Sequence, residues 1–98
     1  MPATEFTGTA YGSIFAFSST LDLGSHTAVA SVDTDVVNAL VKTGDVVIPV
    51  PPAALEAGIS VQGTHTIANG TFKLRTTNAS AGAINPASAN WTFLVLRR

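Results

Sequence analysis

Two alternating runs on either side of an Asn-Gly pair constrain this chain more than any other feature. Ile59, Val61, Gly63, His65 and Ile67 alternate with Ser60, Gln62, Thr64 and Thr66. Ala68-Asn69-Gly70 follows, and then Phe72, Leu74 and Thr76 alternate with Thr71, Lys73, Arg75 and Thr77. A period of two marks a half-buried strand. Asn-Gly between two such runs is the strongest short-range hairpin cue, because both residues accept positive φ. The pattern predicts a hairpin of strands 59–67 and 71–77, with His65 on the same face as Ile59, Val61 and Ile67.

The remainder of the chain is written in similar units. Ile14-Phe15-Ala16-Phe17 predicts a strand over 13–18, and Thr27 to Val32 alternates like a half-buried strand. In 33–43, Val36, Val37, Leu40 and Val41 also fit helical spacing, but valine-rich segments suit strands. The preferred reading is a strand through Val37, then a turn or short helical piece ending at Gly44. Val46 to Val50 is the next strand, on an edge or ending at Pro49, which has no N–H for a ladder. Pro51 to Gly58 reads as one helical turn, with proline at its start and glycine past its end. Asn78 to Asn90 is a polar loop whose one large apolar group, Ile84, is expected to anchor it. In the last strand Trp91, Phe93 and Val95 share one face and Leu94 and Leu96 the other. A strand apolar on both faces is central, or its outer face meets a partner.

About six to eight short strands with regular turn signals predict an all-β, antiparallel β-sandwich or barrel-like domain. It spans 13–98 and follows an extended N-terminal arm over 1–12 that carries Phe6 and Tyr11. A chain of 98 residues is a single small domain. Charged residues are 11% of it, against roughly 25% in ordinary domains, which argues against disorder. Five basic residues face six acidic ones, so no nucleic-acid partner is expected. The N-terminus has no basic region and no secretory-length apolar stretch, so no signal peptide is expected and synthesis in a cytoplasm is. The longest apolar run, Val46 to Leu55, is interrupted by prolines and too short to span a bilayer as a helix, and no membrane partner is expected.

Reactive chemistry is sparse. There is no cysteine, which removes disulfides, thiolate zinc sites and cysteine nucleophiles. His26 and His65 are far apart, and with Asp33, Asp35, Asp45 and Glu56 they form no ligand spacing for a metal. Asp33-Thr34-Asp35 lacks the oxygens and glycine of a calcium loop and reads as a solvated turn. No Gly-x-Ser-x-Gly elbow, carboxylate pair or phosphate loop occurs. Asn69, Asn78 and Asn90 begin Asn-x-Ser/Thr triplets, as chance allows in a chain rich in these residues. The expectation is a protein that is not an enzyme and takes no cofactor or metal. The residues expected at a partner interface are Phe6, Tyr11, Trp91, Arg97 and Arg98. The terminal arginine pair either bridges to an acidic neighbour or keeps the last strand soluble.

The C-terminal half carries a resemblance. Its blocks are Gly44-Asp45-Val46-Val47, a Pro-Pro turn, Leu55 to Val61, Gly70 to Asn78, Ala81 to Ser88 and Trp91 to Arg97. This succession over 44–98 resembles small structural proteins of tailed bacteriophages, in which an Asn-x-Ser/Thr-Ala-Gly-x-Ile-Asn-Pro-Ala-Ser segment runs into a final apolar strand ending in arginine. The resemblance implies a virion structural protein, a capsid decoration or cement protein. Such a protein binds the outside of a phage head and ties capsomers together, with the major capsid protein as partner. It also implies a homo-oligomer, a trimer by analogy with other decoration proteins or a dimer. The alternative is a head-fibre, spike or tail module binding a receptor or carbohydrate through Trp91, Tyr11 and the loop 78–90. Residues 1–43 carry no such resemblance.

Overall fold

The computed structural model describes residues 12–98. They form six strands in two three-stranded sheets: β1 (Ser13–Leu21), β2 (Ser31–Val37), β3 (Val46–Val50), β4 (Ile59–Ala68), β5 (Thr71–Asn78) and β6 (Ala89–Arg97). The sheet orders are β1-β6-β3 and β2-β5-β4, and every pairing is antiparallel. The protein is all-β, in the manner of a β-sandwich. The arm expected over 1–12, with Phe6 and Tyr11, falls almost wholly outside the described residues.

The core lies between the sheets. Trp91, Phe93 and Val95 point inward from β6, and Phe72 and Leu74 point inward from β5, all buried. Phe72 meets Phe93 edge-on with ring centroids 5.1 Å apart, and Phe17 of β1 joins them at 5.4 Å from Phe93. Each such buried side chain contributes about 1.5–3 kcal/mol of transfer free energy. β6 is central in its sheet, and its outer apolar side chains, Leu94 and Leu96, are half-buried between the flanking strands. β3 is an edge strand, consistent with Pro49. Its open side lies against β4, where the Thr64 hydroxyl donates to the Val47 carbonyl at 2.6 Å.

Several expectations need correction. The alternation of Thr27 to Val32 does not produce a strand there. Residues 27–30 turn, with Ala30 N–H bonded to the Thr27 carbonyl and Val29 at φ 59°, and β2 begins at Ser31. Pro51 to Gly58 is not helical. It makes two successive turns, closed by Leu55 N–H to Pro52 O and Ile59 N–H to Glu56 O. β1 runs on to Leu21 rather than stopping at Ser18. The hairpin is present, but only Gly70 of the Asn-Gly pair has positive φ, 83°. Asn69 instead uses its side chain, accepting the Thr43 N–H and tying the hairpin tip to the loop before β3.

The alternation of β4 is broken twice, by register shifts between Val61 and Gly63 and between His65 and Ala68. Bulges of this kind put two residues opposite one and reverse the faces beyond them. Val61 therefore faces the core side opposite Thr76, while His65 lies opposite Lys73 on the outer face. The second shift, with Thr66 at φ 52°, returns Ile67 to the core. His65 does not share a face with Ile59, Val61 and Ile67.

Candidate interaction surface

Strand phase decides what the outer face of β1-β6-β3 presents. In β3, Val47 and Pro49 turn inward, so Val46, Ile48 and Val50 turn outward and are 38%, 41% and 48% exposed. Across the ladder, Val46 faces Leu96 and Ile48 faces Leu94, both half-buried on the same outer side of β6. β1 adds Ile14 opposite Leu96, 65% exposed, and Ala16 opposite Leu94. A contiguous apolar area thus crosses all three strands. Towards the other end of the sheet the face becomes hydroxylic and amidic. Ser18 meets Thr92, and the Thr20 hydroxyl donates to Asn90 at 2.6 Å. These apolar side chains are neighbours across the sheet rather than singly scattered.

The outer face of β2-β5-β4 is ionic. Arg75 holds Asp33 through two hydrogen bonds of 2.8 and 3.0 Å, and Lys73 reaches Asp35 at 2.6 Å. His65 places Nε2 3.1 Å from Asp33 Oδ1. The contact lies off the hydrogen-bonding line, so this shielded nitrogen has no well-aligned partner. The Arg75 hydrogen bonds hold the Asp33 carboxyl far below the usual carboxylate range. The hydrogen bond to Asp35 raises the Lys73 ammonium above its ordinary value. A hollow of about 240 Å³ lies beside Gly63, His65 and Arg75. Exposed pairs like these add little stability, but they leave this face locally neutral and well hydrated.

Between the sheets at one end sits a bidentate pair. Arg97 donates from Nε and Nη2 to the two oxygens of Asp45 at 2.9 and 2.7 Å, and also to the Leu40 carbonyl. Asp45 further accepts the Lys42 N–H. The Arg97 hydrogen bonds hold the Asp45 carboxyl below its ordinary value, against the opposing effect of burial. The Arg97 guanidinium also stacks over Phe15, 5.1 Å from the ring centre.

At the opposite end is a buried polar node. His26 Nδ1 donates to the Gly24 carbonyl at 2.9 Å, which in the neutral ring leaves Nε2 to accept from the Thr76 hydroxyl at 2.7 Å. His26 and Ile84 exchange both backbone hydrogen bonds. Fully buried Asn78 donates to the carbonyls of His26, Thr27 and Gly82, and its oxygen accepts from the N–H and hydroxyl of Ser80. The loop after β5 is therefore anchored by this node and by the Ile84 backbone, while the half-buried Ile84 side chain is not part of the main core.

The residues expected at an interface separate widely. Phe6 and Tyr11 lie outside the described residues. Trp91 is only 1% exposed and packs in the core, so it is not part of an interface surface. Its place beside Phe93 and Val95 in the alternation already carried that signal. Arg97 is committed to Asp45 within the chain, and exposed Arg98 lines a shallow 400 Å³ depression with Lys42, Thr43 and Gly44. The residues that do form the apolar surface, Val46, Ile48 and Val50, were concealed within a continuous apolar run that gives no strand phase. Among the described residues no group of His, Asp and Glu is arranged to hold a metal ion. No protein family, no curated protein and no solved structure matches this chain.

Proposed function

We propose that this protein is a structural docking subunit. It lays the apolar outer face of β1-β6-β3 on a preformed surface and leaves the ion-paired face of β2-β5-β4 in water. The observation that carries this reading is the outward row Val46, Ile48 and Val50, continuous with Leu94, Leu96 and Ile14. Covering such area stabilises a complex by roughly 25 cal/mol per Å² before the costs of association are subtracted. The near-neutral chain, net charge −1, allows copies to sit side by side without strong mutual repulsion.

The partner follows from the resemblance of 44–98 to small structural proteins of tailed phages. The surface is the outside of an assembled head, built by the major capsid protein, and the bound subunit bridges neighbouring capsomers as a decoration protein. Its place is the virion surface. No bond is made or broken; the work is the covering of a β face.

The test is co-sedimentation of the purified protein with heads that lack it. The reading expects retention that persists at high salt, since screening weakens exposed ion pairs and not apolar contact. No retention, or release by moderate salt, overturns it. Binding to a glycan array without retention on heads assigns the face to a receptor-binding module instead.

A further inference from the structure

Two three-stranded sheets expose four edge strands, β1, β3, β2 and β4. An open edge offers unpaired N–H and C=O groups to any other strand, and natural proteins guard such edges with charge, proline, bulges or a cover. Three of these four are guarded. β3 carries Pro49 and lies against β4. β4 is interrupted by two bulges. β2 carries Asp33 and Asp35. Among the described residues β1 has none of these devices. Its nine residues, Ser-Ile-Phe-Ala-Phe-Ser-Ser-Thr-Leu, contain no charge, proline or glycine, and they pair with β6 without a break. Among the described residues the other side of β1 has no strand neighbour, and no backbone hydrogen bond from elsewhere reaches it.

We infer that β1 is a pairing edge and that its occupant is β1 of a second copy, antiparallel across a two-fold axis. The argument for a second copy is self-complementarity. A two-fold contact brings the same strand from each subunit together, and only the unguarded edge is needed twice. Pairing with any other edge of a neighbour, as a closed trimer requires, meets proline, aspartates or bulges. An alignment centred on Phe17 sets Ala16 opposite a second copy's Ser18 and Ile14 opposite its Thr20. The two β1-β6-β3 sheets then become one six-stranded sheet, with both outer faces on the same side of it. The inference stands on the edge and not on the identity of the docking partner.

The experiment is sedimentation equilibrium of the purified protein over a range of concentrations, with no other component present. A dimer is expected. Ala16→Lys with Ser18→Lys, both exposed positions, sets like charges across the new strand pair and shifts the protein to monomer. Mixing that variant with one carrying Ala16→Asp and Ser18→Asp restores the dimer. A wild-type monomer, a trimer, a dimer indifferent to the lysines, or a mixture that stays monomeric overturns the inference. Should the lysine variant unfold, hydrogen exchange of the wild type decides. Alternate β1 amides gain protection with rising concentration if the edge pairs, and unchanged protection overturns it.

Discussion

Arg97 and Asp45, at the far end of β6 and just before β3, meet through two parallel hydrogen bonds of 2.9 and 2.7 Å. The Asp45 side chain is 3% exposed, so its charge depends on that guanidinium. Removing one partner of a buried pair leaves the other unpaired and costs about 3–5 kcal/mol; with Arg97 one-third exposed, about 2–3 kcal/mol is expected for Arg97→Ala. Urea midpoints measure it. Asp45 has a folded pKa below its ordinary 3.8, so its contribution is present above that value and is lost as pH falls through the lowered one. The wild type therefore loses stability on acidification below about pH 4. In Arg97→Ala the carboxylate keeps only the Lys42 N–H against the effect of burial, and this part of the acid dependence shrinks.

Gly58 combines two demands. Its φ is 94°, and a Cβ there would lie 3.0 Å from Cδ1 of Ile84. Gly58→Ala is expected to cost about 1–3 kcal/mol from the backbone alone. Adding Ile84→Val removes the opposing methyl and recovers the steric part but not the backbone part. A double-mutant cycle by thermal unfolding measures the coupling, and strict additivity would contradict the contact.

Asn78 holds three carbonyls and two donors of Ser80 from a fully buried position. Asn78→Ala is expected to destabilise by roughly 2–4 kcal/mol, because each lost buried hydrogen bond counts about 1 kcal/mol and unpaired groups remain. Faster hydrogen exchange at Ser80 and around His26 should accompany the loss, while the 59–68/71–78 hairpin keeps its register.

The two outer faces should respond oppositely. Ile48→Lys changes an exposed apolar site, so stability should stay within about 0.5 kcal/mol while retention on heads is lost. Lys73→Gln on the ionic face should leave both nearly unchanged. Paired unfolding and co-sedimentation measurements check this, and loss of retention from Lys73→Gln would misplace the docking face.

The hairpin, the edge position of β3 and the central place of β6 were legible because each rests on local signals: alternation, Asn-Gly, proline and a doubly apolar strand. The phase of β4 was not. One extra residue at Gln62 leaves the written alternation intact while reversing where His65 points, and only the dihedral freedom of Gly63 hinted at it. The partner of Arg97 was equally hidden, since a pair 52 positions apart in sequence exists only after the sheets have met. Asn78 looked like the first residue of a polar loop or a chance sequon, because nothing local distinguishes a surface amide from a buried junction.

β1 pairs with β6, so one sheet is closed by segments from opposite ends of the described chain, with β6 lying between β1 and β3. During translation β1 leaves the ribosome long before its neighbour exists, and β3 waits as well. The β2-β5-β4 sheet is complete by Asn78, so it can form first, and the arrival of β6 converts a half-built molecule in one step. Nascent chains halted before Ala89 should present two unpaired apolar strands to chaperones, and the last nine strand residues decide when that exposure ends.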